Sequence, residues 1–406
     1  MKKIKLAILG FGQRGYMYAN IIKRHPEEMA LAAVCEINPV KKPFIMSMYG
    51  VKEEDYYDDY REMFKKGKIA DILIIATMDQ DHYEQAMAAL DLGYDILLEK
   101  PIATVIDHCT AICDKANALG RKVAVCHVLR YTPFYQKIKE IIASGNIGRI
   151  MTVSQTEHIG YYHFVHSYVR GNWRQSAHSA PMILAKACHD LDIIRWLIDS
   201  HCEALGSFGN LGYFKEENAP EGSADYCYQC NVECPFNAIA FYKSHPDWFM
   251  IFSLDPDVDK VLRDESVNYG KCVYRSDNDV ADHQVVSMQF ASGATANLTV
   301  TAFSKEIHRS IKIHGTMGEI EGDMEKNEIV VKPYRSDDEN IDVKTLASDF
   351  SGHGGGDVKM VVDFVRNIRN GEPISTLTDI NYSIESHRMA LAAEESRLDG
   401  GKIIKL

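Results

Sequence analysis

The sequence has no apolar run long enough to cross a bilayer, which takes about 20 consecutive residues. Met1–Lys5 carries lysines, but only the short run Ile4–Leu9 follows before glycines and charges. Neither a secretory leader nor a membrane anchor fits that pattern, and the expectation is a cytoplasmic protein. Positive charge is scarce too. With 45 Lys and Arg against 57 Asp and Glu, the formal net charge is −12 and no basic run exceeds a few residues, so the field that would hold nucleic acid or an anionic membrane is missing. Internal repeats and low-complexity segments are absent as well. What is present is ordinary globular material, 46% apolar and 25% charged, long enough for two domains and suited to small-molecule chemistry. Ten cysteines without an export signal read as thiols or metal ligands rather than as a disulfide framework.

Short apolar runs alternate with helical stretches over the first third of the chain. Strands are expected at Ile4–Leu9, Leu31–Glu36, Ile72–Ala76, Asp95–Glu99 and Lys122–His127, with helices at Gln13–Lys23, Tyr57–Lys66, His82–Leu92 and Val105–Leu119. That alternation specifies a parallel sheet covered on both faces, a doubly wound α/β domain over residues 1–127. Beyond it the period changes to two. Gln284–Phe290 and Thr295–Phe303 flank the turn Ala291-Ser292-Gly293, and His308–His314, Glu319–Asp323 and Glu328–Pro333 are further strands. Helices are expected at Pro133–Ser144, Met182–Leu197, Asp357–Asn370 and Tyr382–Leu398. Residues 128–406 are thus expected to form an α+β domain with an open, mainly antiparallel mixed sheet, interrupted by an irregular Cys-rich insertion at about 203–280.

Gly10-Phe11-Gly12-Gln13-Arg14-Gly15 is a complete G-x-G-x-x-G between a strand and a helix. The first glycine permits the tight turn, the second lets a pyrophosphate reach the backbone, and the third lets helix and strand pack closely. Glu36, about 20 residues further on at the end of the second strand, would accept hydrogen bonds from an adenosine ribose and repel a 2′-phosphate. NAD is therefore expected, with NADP left open by Lys41 and Lys42 nearby.

Ala76-Thr77, His82 and Glu99-Lys100-Pro101 stand along the later strands. With the glycine fingerprint, the β-rich second domain and the tail Ala390–Leu406, they resemble the glucose–fructose oxidoreductase / inositol dehydrogenase / MocA family over essentially the whole chain. The resemblance implies that the substrate lies between the domains over the nicotinamide and that the outer face of the second sheet joins copies of the chain into a dimer or tetramer. It also implies that Lys100 points at nicotinamide and substrate, where an ammonium would stabilise charge on the reacting oxygen, and that the Lys100–Pro101 bond is often cis. The family's second motif, an aspartate followed four and seven residues later by histidine and aspartate, is incomplete here. His189 and Asp192 match, whereas Ala185 replaces the first aspartate and Lys186 follows it. Three-residue spacing puts Lys186, His189 and Asp192 on one helix face, with His189 as acid/base, Asp192 orienting its imidazole, and Lys186 adding charge or binding a hydroxyl.

A carbohydrate offers apolar ring faces for aromatics and hydroxyls for imidazole and guanidinium groups. Arg130, Tyr131, His158, His163, Tyr168, Arg170, Trp173 and Arg174 are the candidates for that contact, joined by His353 and Asp357 in the His353-Gly354-Gly355-Gly356-Asp357 segment, where Asp357 can instead cap the following helix. Cys227, Cys230 and Cys234 are spaced for a structural zinc, with Cys272, or failing it Cys202, as fourth ligand; free thiols in a loop or a redox pair are the alternatives. The expected function is hydride transfer between a sugar, glycoside or polyol carbon and NAD. A redox-neutral NAD-dependent glycosidase working by transient C3 oxidation is the second reading, and a non-catalytic sugar or dinucleotide sensor the third.

Overall fold

A computed structural model describes residues 3–348 and 350–406. The chain divides into two units, Met1–Pro133 with Asp349–His387, and Phe134–Ser348 with Arg388–Leu406. Among the described residues no helix is long and apolar enough to cross a membrane.

The first unit is built on six parallel strands, β1 (Ile4–Leu9), β2 (Met29–Cys35), β3 (Tyr56–Tyr57), β4 (Ile72–Ile75), β5 (Asp95–Leu98) and β6 (Val123–Val125), in the order β3-β2-β1-β4-β5-β6. Successive side chains of a strand point to opposite faces. Ile4, Leu6 and Ile8 of β1 accordingly pack with Tyr18, Ile21 and Ile22 on one face, while Ala7 and Leu9 pack with Ala86, Ala89, Ile112 and Ala116 on the other. Both faces are covered, so Ile72–Ile75 is buried at every position. The strand order reverses between β1 and β4, and the crevice at the carboxyl ends there is where such sheets take a ligand.

The boundary expected at residue 127 lies instead at Pro133, and residues 349–387 belong to the first unit rather than the second. The cause is the apolar stripe Met360, Val361, Phe364 and Val365 of the helix Gly356–Asn370, which joins the cluster of Ile4, Leu6 and Ile8. An amphipathic helix reads the same from sequence whichever core it completes.

The second unit carries a nine-stranded sheet of β7 (Ile150–His158), β8 (Cys202–Asn210), β9 (His283–Phe290), β10 (Thr295–Thr301), β11 (His308–Gly315), β12 (Gly318–Asp323), β13 (Glu328–Pro333), β14 (Glu339–Asp342) and β15 (Ile404–Lys405). Its order is β14-β13-β12-β11-β7-β10-β9-β8-β15. Only β7 and β10 pair in parallel. Neither β7 nor β8 is legible as a strand from the sequence: the inward positions of β7 include Gln155 and Glu157, and β8 carries Gly206 and Gly209. Between β8 and β9 the Cys-rich insertion folds as short helices around Ala238, Tyr242, Phe249 and Leu262. The expected helix Met182–Leu197 is two pieces, Met182–Ala185 and Cys188–Ile198.

Candidate active site

The glycine loop follows β1. Gly10 has φ +83°, and a Cβ there would lie 2.5 Å from the Ala76 carbonyl oxygen; one on Gly15 would lie 2.1 Å from that of Gly10. These two glycines are required by packing within the protein. Gly12 differs, because a Cβ on it would meet nothing within 4 Å. It is also the N-cap of the helix Gln13–Arg24, supplying no side-chain cap, and the first turn has no acidic residue. The amide groups and positive end of that helix dipole are thus presented beside an exposed glycine and Gln13, an arrangement that fits a pyrophosphate.

Glu36 sits just past β2, only 6% exposed. Its carboxylate accepts hydrogen bonds from the Phe11 and Asn38 amides, both at 2.8 Å, and from the Lys41 ammonium at 3.2 Å. Lys41 also donates to the Phe11 carbonyl at 3.1 Å. Glu36 therefore braces the glycine loop with one acceptor position on Oε1 left over, and Lys41, not Lys42, supplies its counter-charge; Lys42 pairs with Glu53. Ile37 is 81% exposed directly beyond it, an apolar platform of the kind an adenine ring uses, which the sequence reading passed over.

Arg14 turns away from the loop opening and pairs with Glu99 and, at 2.8 Å, with Asp357; it also donates to the Tyr18 hydroxyl at 2.8 Å. Burial raises the Glu99 pKa, but the Arg14 guanidinium, the Tyr18 hydroxyl and the Lys100 ammonium together outweigh it and hold the carboxyl below its ordinary range. Asp357 behaves the same way, with His353 Nδ1 3.1 Å from it as a further support. Arg14, Glu99 and Asp357 thus form a buried brace between the glycine loop, the end of β5 and the returning helix. Asp357 is not the helix cap expected: Gly355, at φ +85°, occupies that position.

Lys100 follows Glu99 at the end of β5, half-buried, and the Lys100–Pro101 bond is cis. His82, expected on the cofactor, lies behind this turn with Nδ1 2.7 Å from the Pro101 carbonyl oxygen. Thr77 donates to Gln85 at 2.7 Å, and Ala76 backs Gly10. Two residues expected on substrate are committed within the first unit. The Tyr131 hydroxyl bonds Asp363 at 2.8 Å, and Arg130, 2% exposed, donates to the Thr376 carbonyl at 3.4 Å.

In the second unit His189 stands in the first turn of Cys188–Ile198, 4% exposed, with Asp192 three residues on and 1% exposed. Lys186 lies in the break between Met182–Ala185 and Cys188–Ile198, and its ammonium lies 3.2 Å from Glu157. Glu157 also pairs with Arg309 at 2.7 Å, which reaches Asp190 at 3.0 Å, and Gln155 donates to Asp190 at 2.7 Å. Burial pushes the Asp190 carboxyl up to about 6 against the pull of Arg309. This network pins the His189 helix to β7 and β11. It is not legible in the sequence, because charged residues at inward strand positions look like a solvated loop.

The expected substrate cluster is dispersed. Strand alternation puts His158 on the face of β7 opposite Glu157, stacked on His308 at 3.8 Å. Arg170 donates to the Lys271 and Phe236 carbonyls at 2.7 and 2.8 Å and to the Cys227 sulfur at 3.4 Å, and Arg174 pairs with Asp277 at 2.7 Å. Both guanidinium groups hold the insertion in place. Tyr168 stacks on Phe164 at 5.4 Å, and His163 meets Trp248 at 5.2 Å; Trp173, half-buried, donates its backbone N–H to the Ser167 carbonyl at 3.2 Å.

All four cysteines singled out for zinc, Cys227, Cys230, Cys234 and Cys272, line one cavity of the insertion. The Ala238 amide points at the Cys227 sulfur and the Phe236 amide at the Cys234 sulfur, each at 3.4 Å. Every cysteine is a free thiol, and among the described residues no three His, Cys, Asp or Glu side chains are gathered closely enough to hold a metal ion.

A β3-β2-β1-β4-β5-β6 sheet with a glycine cradle and a terminal carboxylate on β2 defines a dinucleotide-binding oxidoreductase fold. The family model described as the oxidoreductase family, NAD-binding Rossmann fold matches residues 4–127, and the GFO/IDH/MocA C-terminal domain matches residues 135–321. The chain belongs to the glucose–fructose oxidoreductase / inositol dehydrogenase / MocA family. It is 26% identical over 326 residues to YteT of Bacillus subtilis (strain 168), covering 75% of this chain and 74% of that protein. It is also 26% identical over 196 residues to the inositol 2-dehydrogenase/D-chiro-inositol 3-dehydrogenase of Lactiplantibacillus plantarum, covering 48% of this chain and 52%, about half, of that relative. Among solved structures, a levoglucosan dehydrogenase in complex with NADH and levoglucosan superposes with TM-score 0.75 at 18% identity, over 100% of this chain and 99% of that one.

Proposed function

We propose that this chain is an NAD-dependent dehydrogenase acting on a hydroxyl carbon of a sugar, glycoside or polyol. The observation that carries the reading is Gly12, a glycine that nothing in the protein requires, at the uncapped end of a helix whose loop is braced by Glu36. When bound, NAD+ supplies the hydride acceptor. His189 takes the hydroxyl proton, Asp192 orients its imidazole, and Lys100 stabilises the negative charge that grows on the oxygen. Lys186 serves indirectly, by holding Glu157 in the network under the His189 helix. The substrate class is supported by the names of the inositol and levoglucosan dehydrogenases the chain resembles.

A panel of free sugars, glycosides and inositols assayed for NADH formation tests the reading. With the substrate so found, Lys100→Met and His189→Ala should each lower turnover on the order of a hundredfold while NAD affinity stays within a few-fold, because both groups act mainly in the transition state. Aglycone release without net NADH would replace the dehydrogenase by a redox-neutral glycosidase. Unchanged turnover in both variants would reject the mechanism.

The proposal extends to two further features. Cys227, Cys230, Cys234 and Cys272 draw together from their shared cavity, where they do not yet stand at ligand distances, to hold one structural zinc; the amide groups aimed at two of the sulfurs support this reading. Copies of the chain associate through the outer face of the second sheet, supported by the cross-strand pair Phe208 and Val285, 62% and 44% exposed.

A further inference from the structure

We propose that His82 and His387 are positioning residues for Lys100, acting as a clamp on the one peptide unit that follows it. The Pro101 carbonyl and the Ile102 N–H belong to the same planar peptide group. His82 Nδ1 lies 2.7 Å from that carbonyl oxygen, and the Ile102 N–H donates to His387 Nε2 at 2.8 Å. A carbonyl only accepts and an amide only donates, so the geometry assigns the proton on each ring: His82 carries it on Nδ1, and His387 leaves Nε2 bare. The other nitrogen of His387, Nδ1, lies 3.0 Å from the Ser383 carbonyl and donates to it, consistent with a neutral ring. The two imidazoles are 1% and 0% exposed. One peptide plane is therefore gripped from both of its polar ends by histidines of opposite hydrogen-bonding sense.

The pyrrolidine ring fixes φ of Pro101, which leaves rotation of this peptide plane as the soft coordinate of the turn. Two bonds of opposite sense on one plane stop that rotation. The turn is what displays Lys100, and a reacting group must be held to within roughly half an ångström to be useful. His387 comes from the helix Ile380–Leu398, 285 residues along the chain from Ile102, so the returning segment closes the back of the turn as well as the core. The proposal rests on the role given to Lys100 above.

Four variants separate the clamp from simple packing. Gln at position 387 keeps an acceptor near the place of Nε2 and Met of similar length does not; Asn at position 82 keeps a donor near Nδ1 and Leu does not. His387→Met and His82→Leu should lower kcat about tenfold or more with NADH affinity within a few-fold, and change the rate at which trinitrobenzenesulfonate modifies Lys100, read by mass spectrometry, several-fold. His387→Gln and His82→Asn should recover most of both. Equal behaviour of the Gln and Met variants, or of Asn and Leu, overturns the clamp, as does an unaltered Lys100 modification rate in the variants lacking the hydrogen bond. Loss of the catalytic role of Lys100 reads differently: Lys100→Met would then keep its kcat while the modification rates still respond to the clamp.

Discussion

In the proposed enzyme, the charge balance at Glu36 sets cofactor choice. Its carboxylate holds the Phe11 amide of the glycine loop and the Asn38 amide just beyond β2, and carries the Lys41 ammonium. A 2′-phosphate brought to the same place would meet the carboxylate as a like charge, so NADH is expected to bind at least tenfold more tightly than NADPH, about 1.4 kcal/mol, in a fluorescence titration. Lys41→Ala removes the compensating charge and should widen that gap; Glu36→Gln should narrow it. Equal affinities in the parent protein would mean that the carboxylate is spent on the loop. Residues of this end were legible in the sequence because their reasons are local: a turn, a helix start, a strand end. Arg170, Arg174 and Tyr131 were not, since a guanidinium or phenol suited to a sugar hydroxyl is equally suited to a carbonyl or carboxylate of the same chain, and only tertiary contact shows which it found.

Among the elements, strands with apolar inward positions were readable and β7 was not. Its Gln155 and Glu157 are buried because Asp190 and Arg309 meet them there, a compensation contributed by residues distant in sequence. The Cys-rich insertion poses the opposite case: the spacing of Cys227, Cys230 and Cys234 marks it out in the sequence, while Arg170, a guanidinium equally suited to a sugar hydroxyl, anchors it through backbone carbonyls. Its short helices bury a small cluster, and segments with so little core commonly depend on a metal for stability. Purified protein should therefore contain about one zinc per chain, lost together with a lowered thermal midpoint when Cys230 is changed to Ser. Cobalt substitution should give the visible absorption of a tetrahedral thiolate site. Elemental analysis without metal, and four freely titratable thiols in the insertion, would dismiss the site; iron with its own visible band would make it a cluster site instead.

At the scale of the whole molecule, the chain leaves the first unit after Pro133 and comes back to it at residue 349. Arg366 and Arg369 of the returning helix reach Glu28 at 2.8 and 3.1 Å and hold its carboxyl down at about 2 by hydrogen bonding and charge. A carboxyl depressed in the folded state contributes stability above its ordinary pKa and loses it as pH falls toward the folded value. Glu28→Gln should thus lower stability by about 1 kcal/mol at pH 7, discounted for partial exposure, and its urea midpoint should converge on that of the parent as pH is taken from 5 to 3. A gap that stayed constant over that range would show that the pair contributes nothing through charge. Sequence indicates both domains of this molecule but not that the tail helix Gly356–Asn370 and the start of Ile380–Leu398 serve the first.

That return has a consequence in time. During synthesis the six parallel strands leave the ribosome long before Met360 and Phe364, which complete one face of their core. At ordinary elongation rates the wait is roughly ten to forty seconds. For that interval the newborn sheet exposes an apolar face and lacks His387 behind Lys100, so the last assembled part of the first unit is the part that completes the turn bearing Lys100. Chaperone dependence during translation, and aggregation of chains halted before residue 349, are what such an order of assembly entails.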